Sequence, residues 1–97
     1  MEMNEIIQII KDHENEIKAF GVKKIGVFGS YANGNFSESS DIDILVNFGE
    51  VPRISKSYFG LKFYLENLFN KEVDLCREKD IRKEIKDEIL RSVRYVS

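Results

Sequence analysis

Residues 41–48, Asp41-Ile42-Asp43-Ile44-Leu45-Val46-Asn47-Phe48, alternate carboxylate and aliphatic side chains before running into an apolar, β-branched stretch. The pattern predicts a strand. In a strand, residues two apart share a face. Ile42, Ile44 and Val46 therefore point toward a core, while Asp41 and Asp43 project together from the opposite face, which also carries Leu45. The chain must build a sheet that buries one face and displays acid on the other.

The rest of the chain supplies what such a sheet needs. Ile6, Ile9, Ile10, Ile17 and Phe20 form a helical stripe, broken at His13 and closed by Gly21. Residues 22–28 read as a short strand ending on Gly29-Ser30. Residues 31–40, rich in Asn, Gly and Ser, read as a loop with one helical turn at its start. Gly49 and Pro52 punctuate the loop after the acidic strand. Ile54, Tyr58, Leu61, Leu65 and Leu68 mark a long helix ending near Asn70, and residues 72–76 a third strand. From about Lys79, the residues Ile81, Ile85, Ile89, Leu90 and Val93 mark a final amphipathic helix. The expected fold class is α/β (α+β), a small mixed β-sheet packed with helices. At 97 residues it is expected to form one domain, residues 1–97.

Charge and composition narrow the function. Fifteen basic residues face seventeen acidic ones, a net charge of −2, so the basic footprint of stable nucleic-acid binding is missing. The single cysteine, Cys76, cannot form an internal disulfide, and no apolar run approaches the roughly 20 residues that span a bilayer. A cytoplasmic protein without membrane contact is expected.

Two carboxylates about 7 Å apart along one strand face repel each other unless a cation lies between them. Oxygen-only ligands with open positions suit Mg²⁺, which keeps waters and takes one or two carboxylates plus phosphate oxygens. Asp74, between Val73 and Leu75, offers a third carboxylate if its strand neighbours the first. Three carboxylates can hold two metal ions for displacement at phosphorus. Gly29 allows close backbone approach, and the backbone N–H and hydroxyl of Ser30 are placed to hold terminal phosphates. The turn is neither a Walker A loop nor a dinucleotide fingerprint. His13 and Cys76 read as structural, the charges from Arg77 to Arg94 as a solvated helix face, and Gly34 as a turn requirement. Tyr31 and Phe36 suit either partner contact or core-edge packing.

Gly29-Ser30-Tyr31-Ala32-Asn33-Gly34, followed by Ser39-Ser40-Asp41-Ile42-Asp43-Ile44-Leu45-Val46, resembles the signature of the polymerase-β-like nucleotidyltransferases. Ten residues separate Ser30 from Asp41, and a strand aspartate, Asp74, follows. The likeness is nearest to the minimal nucleotidyltransferases, the antitoxin halves of HEPN–MNT toxin–antitoxin modules. It implies the polymerase-β-like fold, with Gly29 and Ser30 binding the phosphates of ATP, and with Asp41, Asp43 and Asp74 as catalytic and Mg²⁺-binding residues. It also implies transfer of AMP from ATP to a tyrosine hydroxyl of a partner HEPN toxin. The chain departs from the pattern at Asn33, where many members carry a basic residue. A non-catalytic antitoxin that neutralises its toxin by binding alone is the alternative.

Overall fold

The computed structural model describes residues 1–34, 37 and 39–96. Its centre is a four-stranded mixed sheet in the order β3-β2-β1-β4. Helices α1 (Met3–Asp12) and α2 (Glu14–Lys18) come first. The break between them falls at His13, whose ring Nδ1 lies 2.8 Å from the Ile9 carbonyl. Gly21, at φ +93, takes the left-handed conformation that ends the helical segment, and strand β1 (Val22–Phe28) starts at the next residue.

A single helical turn, α3 (Gly29–Asn33), leaves the end of β1. Strand β2 (Ile42–Phe48) then runs antiparallel to β1, with Asp43 opposite Phe28. Asp41 stands just before the ladder. Helix α4 (Ile54–Phe69) ends on Asn70, in the left-handed conformation at φ 53, and carries the chain over to β3 (Val73–Arg77). Strand β3 pairs parallel with β2. A 3-10 turn, Glu78–Asp80, then leads to α5 (Lys83–Ser92), so the last helix starts later than the apolar pattern predicts. Strand β4 (Arg94–Tyr95) closes the sheet antiparallel to β1. The sequence reading did not anticipate β4, because two residues carry no periodicity.

The apolar face of the sheet holds the core. Ile25, Val27, Ile42, Ile44, Val46, Val73 and Leu75 are all buried there, against Ile6, Ile10 and Ile17 from the first two helices and Leu61, Leu65 and Phe69 from α4. Tyr31 of α3 joins this cluster at 2% exposure, which settles it as core; Phe36 lies outside the described residues. Among the described residues, no helix is long and apolar enough to cross a membrane.

On the opposite face, the return of the chain after α5 packs against Gly26. Leu45 is fully buried yet stands apart from the main cluster. Its partner in β1 is Gly26, and a Cβ on Gly26 would meet Val93 Cγ2 at 2.9 Å, the Arg94 carbonyl at 3.0 Å and Tyr95 Cδ1 at 3.1 Å. The Tyr95 hydroxyl donates to Glu78 at 2.9 Å, and the Lys24 ammonium sits 4.2 Å from the ring centroid. Gly26→Ala should therefore pry the C-terminal return off the sheet, with a loss of about 1–3 kcal/mol by overpacking. Urea unfolding of the two proteins checks this; equal midpoints would show that the return yields without loss.

Candidate active site

The end of β1 and the start of β2 are register partners, so the turn that leaves β1 lies beside the acids that begin β2. Gly29 adopts φ +73, which favours glycine, and the space a Cβ would fill is taken by Asp43: its Oδ2 lies 2.0 Å from that position. The backbone N–H of Ser30 lies close enough to the Asp43 carboxylate to favour its charged form. The phosphate-holding turn expected from the sequence is thus packed directly onto one of the expected acids.

Parallel pairing brings in the third acid. Asp43 and Asp74 are register partners, and Asp43, when protonated, can donate to the Asp74 carboxylate. Burial, then the charges of Asp74 and Asp41, raise Asp43 from the ordinary 3.8 to about 6; the Ser30 N–H opposes the rise. Asp41 and Asp74 are exposed and Asp43 is half-buried. Gly29, Ser30, Asp43 and Asp74 therefore meet at one end of the sheet, with Asp41 acting on the group through its charge. Among the described residues, no three His, Cys, Asp or Glu side chains already stand together as a preformed metal cage. The donors are all carboxylate oxygens, and their mutual repulsion is what a hard divalent cation relieves, so the residues fit Mg²⁺.

Cys76 is half-buried two residues beyond Asp74 on the same strand face. Burial, then the charges of Asp74 and Asp43, push its thiol up, away from the reactive thiolate. Cavities of about 320 and 440 Å³ open toward the other end of the sheet, around Asn47, Arg77 and Ile81. None of the five candidate site residues lines either of them.

The sequence reading missed how the third acid is held. Strand β3 is an edge strand, and α4 covers that edge with side chains spaced four residues apart. Tyr58 Oη donates to the Leu75 carbonyl. Lys62 Nζ donates to the Val73 carbonyl at 2.7 Å, and Glu66 Oε2 accepts from the Val73 N–H at 3.1 Å. The four-residue spacing was visible, but only Tyr58 was noticed, as part of an apolar stripe.

Comparison with known proteins identifies the family. Residues 3–96 match the family described as the nucleotidyltransferase domain. A relative from Thermococcus cleftensis, named protein adenylyltransferase MntA, is 43% identical over 95 residues, which is 97% of this chain and 95% of that protein. A solved structure provisionally described as a minimal nucleotidyltransferase superposes with a TM-score of 0.81 at 28% identity, covering 97% of this chain and 95% of its own. A chain from the complex of tri-AMPylated Shewanella oneidensis HEPN toxin with its MNT antitoxin shares the fold. Its TM-score is 0.64 at 18% identity, over 94% of this chain and 71% of that one. From Met3 to Val96 this chain belongs to the nucleotidyltransferase domain family.

Proposed function

We propose that this protein is a Mg²⁺-dependent adenylyltransferase that moves AMP from ATP to a tyrosine hydroxyl of a partner HEPN toxin and thereby acts as its antitoxin. The observation that carries the reading is the packing of the Gly29–Ser30 turn onto Asp43, with Asp74 in contact from the next strand. The activity named for the Thermococcus cleftensis relative and the modified toxin in the Shewanella oneidensis complex support the same chemistry and the same class of partner.

Asp41, Asp43 and Asp74 would hold Mg²⁺, which when bound neutralises the triphosphate and lowers the pKa of the acceptor hydroxyl. Gly29 and Ser30 present backbone to the phosphates. The acceptor oxygen attacks the α-phosphorus, and a new P–O bond forms to it. The bond from the α-phosphorus to the bridging oxygen breaks, and pyrophosphate leaves with that oxygen. In this reading Asp74, exposed and paired in register with Asp43, takes the acceptor's proton. The expected outcome of Asp74→Asn is retained ATP affinity with turnover down on the order of 10²–10⁴-fold. Isothermal titration and single-turnover kinetics separate the two quantities, and a parallel loss of both would make Asp74 a nucleotide ligand instead.

The function is tested by mixing the toxin with a tenfold deficit of this protein, ATP and Mg²⁺, then reading toxin activity and intact mass. Full neutralisation with a gain of whole AMP units on the toxin is expected. Neutralisation that needs equimolar protein, ignores ATP and survives Asp41→Asn would establish an antitoxin that acts by binding alone.

A further inference from the structure

We infer that Tyr58, Lys62 and Glu66 of α4 are positioning residues for the transfer, gripping the outer edge of β3 on both sides of Asp74 so that its carboxylate stays against Asp43. In a parallel pair, alternate residues of the edge strand turn both peptide groups outward. Val73 and Leu75 face outward, while the register places Asp74 in the ladder beside Asp43. The three contacts therefore fall on the residues immediately before and after Asp74. Lys62 and Glu66 also pair with each other at 3.6 Å, so the donor and acceptor used on Val73 orient one another.

An edge strand is the least constrained part of a sheet, since neighbours hold it on one side only. Asp74 sits on that strand, and the proposed transfer needs its carboxylate placed to within a fraction of an ångström. Helix α4 supplies the missing second side. The core pattern of the helix does not require all of this: Leu61, Leu65 and Phe69 are its buried residues, Tyr58 packs against their cluster yet is partly exposed and sends its hydroxyl to β3, and Lys62 and Glu66 lie off the stripe. Side chains kept only to block strand addition from another molecule would need no particular alignment with Asp74.

The inference rests on the assignment of Asp74 to the transfer site, and the test is arranged to tell the two apart. Tyr58→Phe keeps the ring and loses one donor, without touching any charge. Lys62→Met removes the second donor, Lys62→Arg restores one, and Glu66→Gln keeps an acceptor while losing the charge. AMP transfer to the toxin is measured for each, with Asp74→Asn alongside. The expected result is a fall in kcat of roughly threefold to tenfold for Tyr58→Phe and roughly 10–100-fold for the Tyr58→Phe, Lys62→Met double variant. KM for ATP should stay within about twofold, and Lys62→Arg and Glu66→Gln should resemble the parent. A double variant that folds and keeps its kcat while Asp74→Asn loses activity overturns the inference. If the parent shows no transfer, or Asp74→Asn keeps it, the assignment of function fails, and a crystal structure of Tyr58→Phe then decides the positioning. An Asp74 carboxylate withdrawn from Asp43 supports it, and one still in contact refutes it.

Discussion

Asp43→Asn should raise the unfolding temperature of the metal-free protein and, in the same molecule, remove nucleotidyl transfer. Asp43 is raised from the ordinary 3.8 to about 6 by burial and by the two neighbouring acids. Between those two values the folded protein binds more protons at this position than the unfolded chain does. Its contribution to stability is therefore full below 3.8, is lost as pH rises through about 6, and stays lost at neutral pH. Asparagine keeps an oxygen near the Ser30 N–H and carries no charge, so the loss disappears. For a group fully withdrawn from water such a shift corresponds to ~3 kcal/mol; Asp43 is half-buried, and solvent screening brings the expected gain to about 1 kcal/mol. For a chain of this size that is roughly 4–8 °C. Transfer should fall on the order of 10³-fold, since one carboxylate of the Mg²⁺ site is gone. Thermal melts in EDTA from pH 4 to pH 8 check the first half: the parent should weaken through pH 5–6, and the variant should not. A variant melting below the parent at pH 7 would show that Asp43 stabilises the fold.

Gly29→Ala carries the second large effect, through geometry. Its methyl group would stand 2.0 Å from Asp43 Oδ2, and the backbone there has φ +73. The left-handed conformation costs an L-residue about 1–2 kcal/mol. The collision adds to this by driving the carboxylate off the turn, and displacement of a catalytic group by 1 Å lowers turnover about 10²-fold. Gly34 is the control. Its φ is +77, but no described atom lies within 4 Å of a Cβ there, so Gly34→Ala should lose stability alone. Kinetics and melting curves of both variants make the comparison. Equal losses of turnover would mean that Gly29 serves only the backbone.

The sequence exposed the parts of this site that depend on local periodicity. The two-residue alternation around Asp41 and Asp43 and the Gly29–Ser30 turn ahead of them needed no knowledge of tertiary structure. What stayed hidden depends on pairing. Asp74 could be offered as the third acid only on the condition that its strand neighbours the first, or by family resemblance; that it stands opposite Asp43 follows from the register of a parallel ladder, which no local pattern encodes. The packing of the Gly29–Ser30 turn onto Asp43 needs the exact path of α3. The grip of α4 on β3 needs both the pairing order and the face that the helix turns to the edge. Tyr31 could be read either way until the core was visible, because an aromatic residue in a loop gives no sign of which way it points.

The late return of β4 has a consequence for assembly kinetics. Strands β1 and β2 follow each other closely, and β3 joins them through one helix, so Gly29, Asp43 and Asp74 can come together from nearby stretches of chain. The pairing of Gly26 with Tyr95 and the bond from the Val96 N–H to the Ile25 carbonyl join β1 to the C-terminal end of the described chain, across the whole of β2, α4, β3 and α5. Contacts of such long range form slowly, because loop closure precedes any gain from them. During refolding, the outer edge of β1 is therefore expected to stay open after the acidic site has taken shape. At high concentration that edge can take the Arg94–Tyr95 strand of a second chain in place of its own, so domain-swapped dimers are the misassembly to expect in concentrated refolding mixtures.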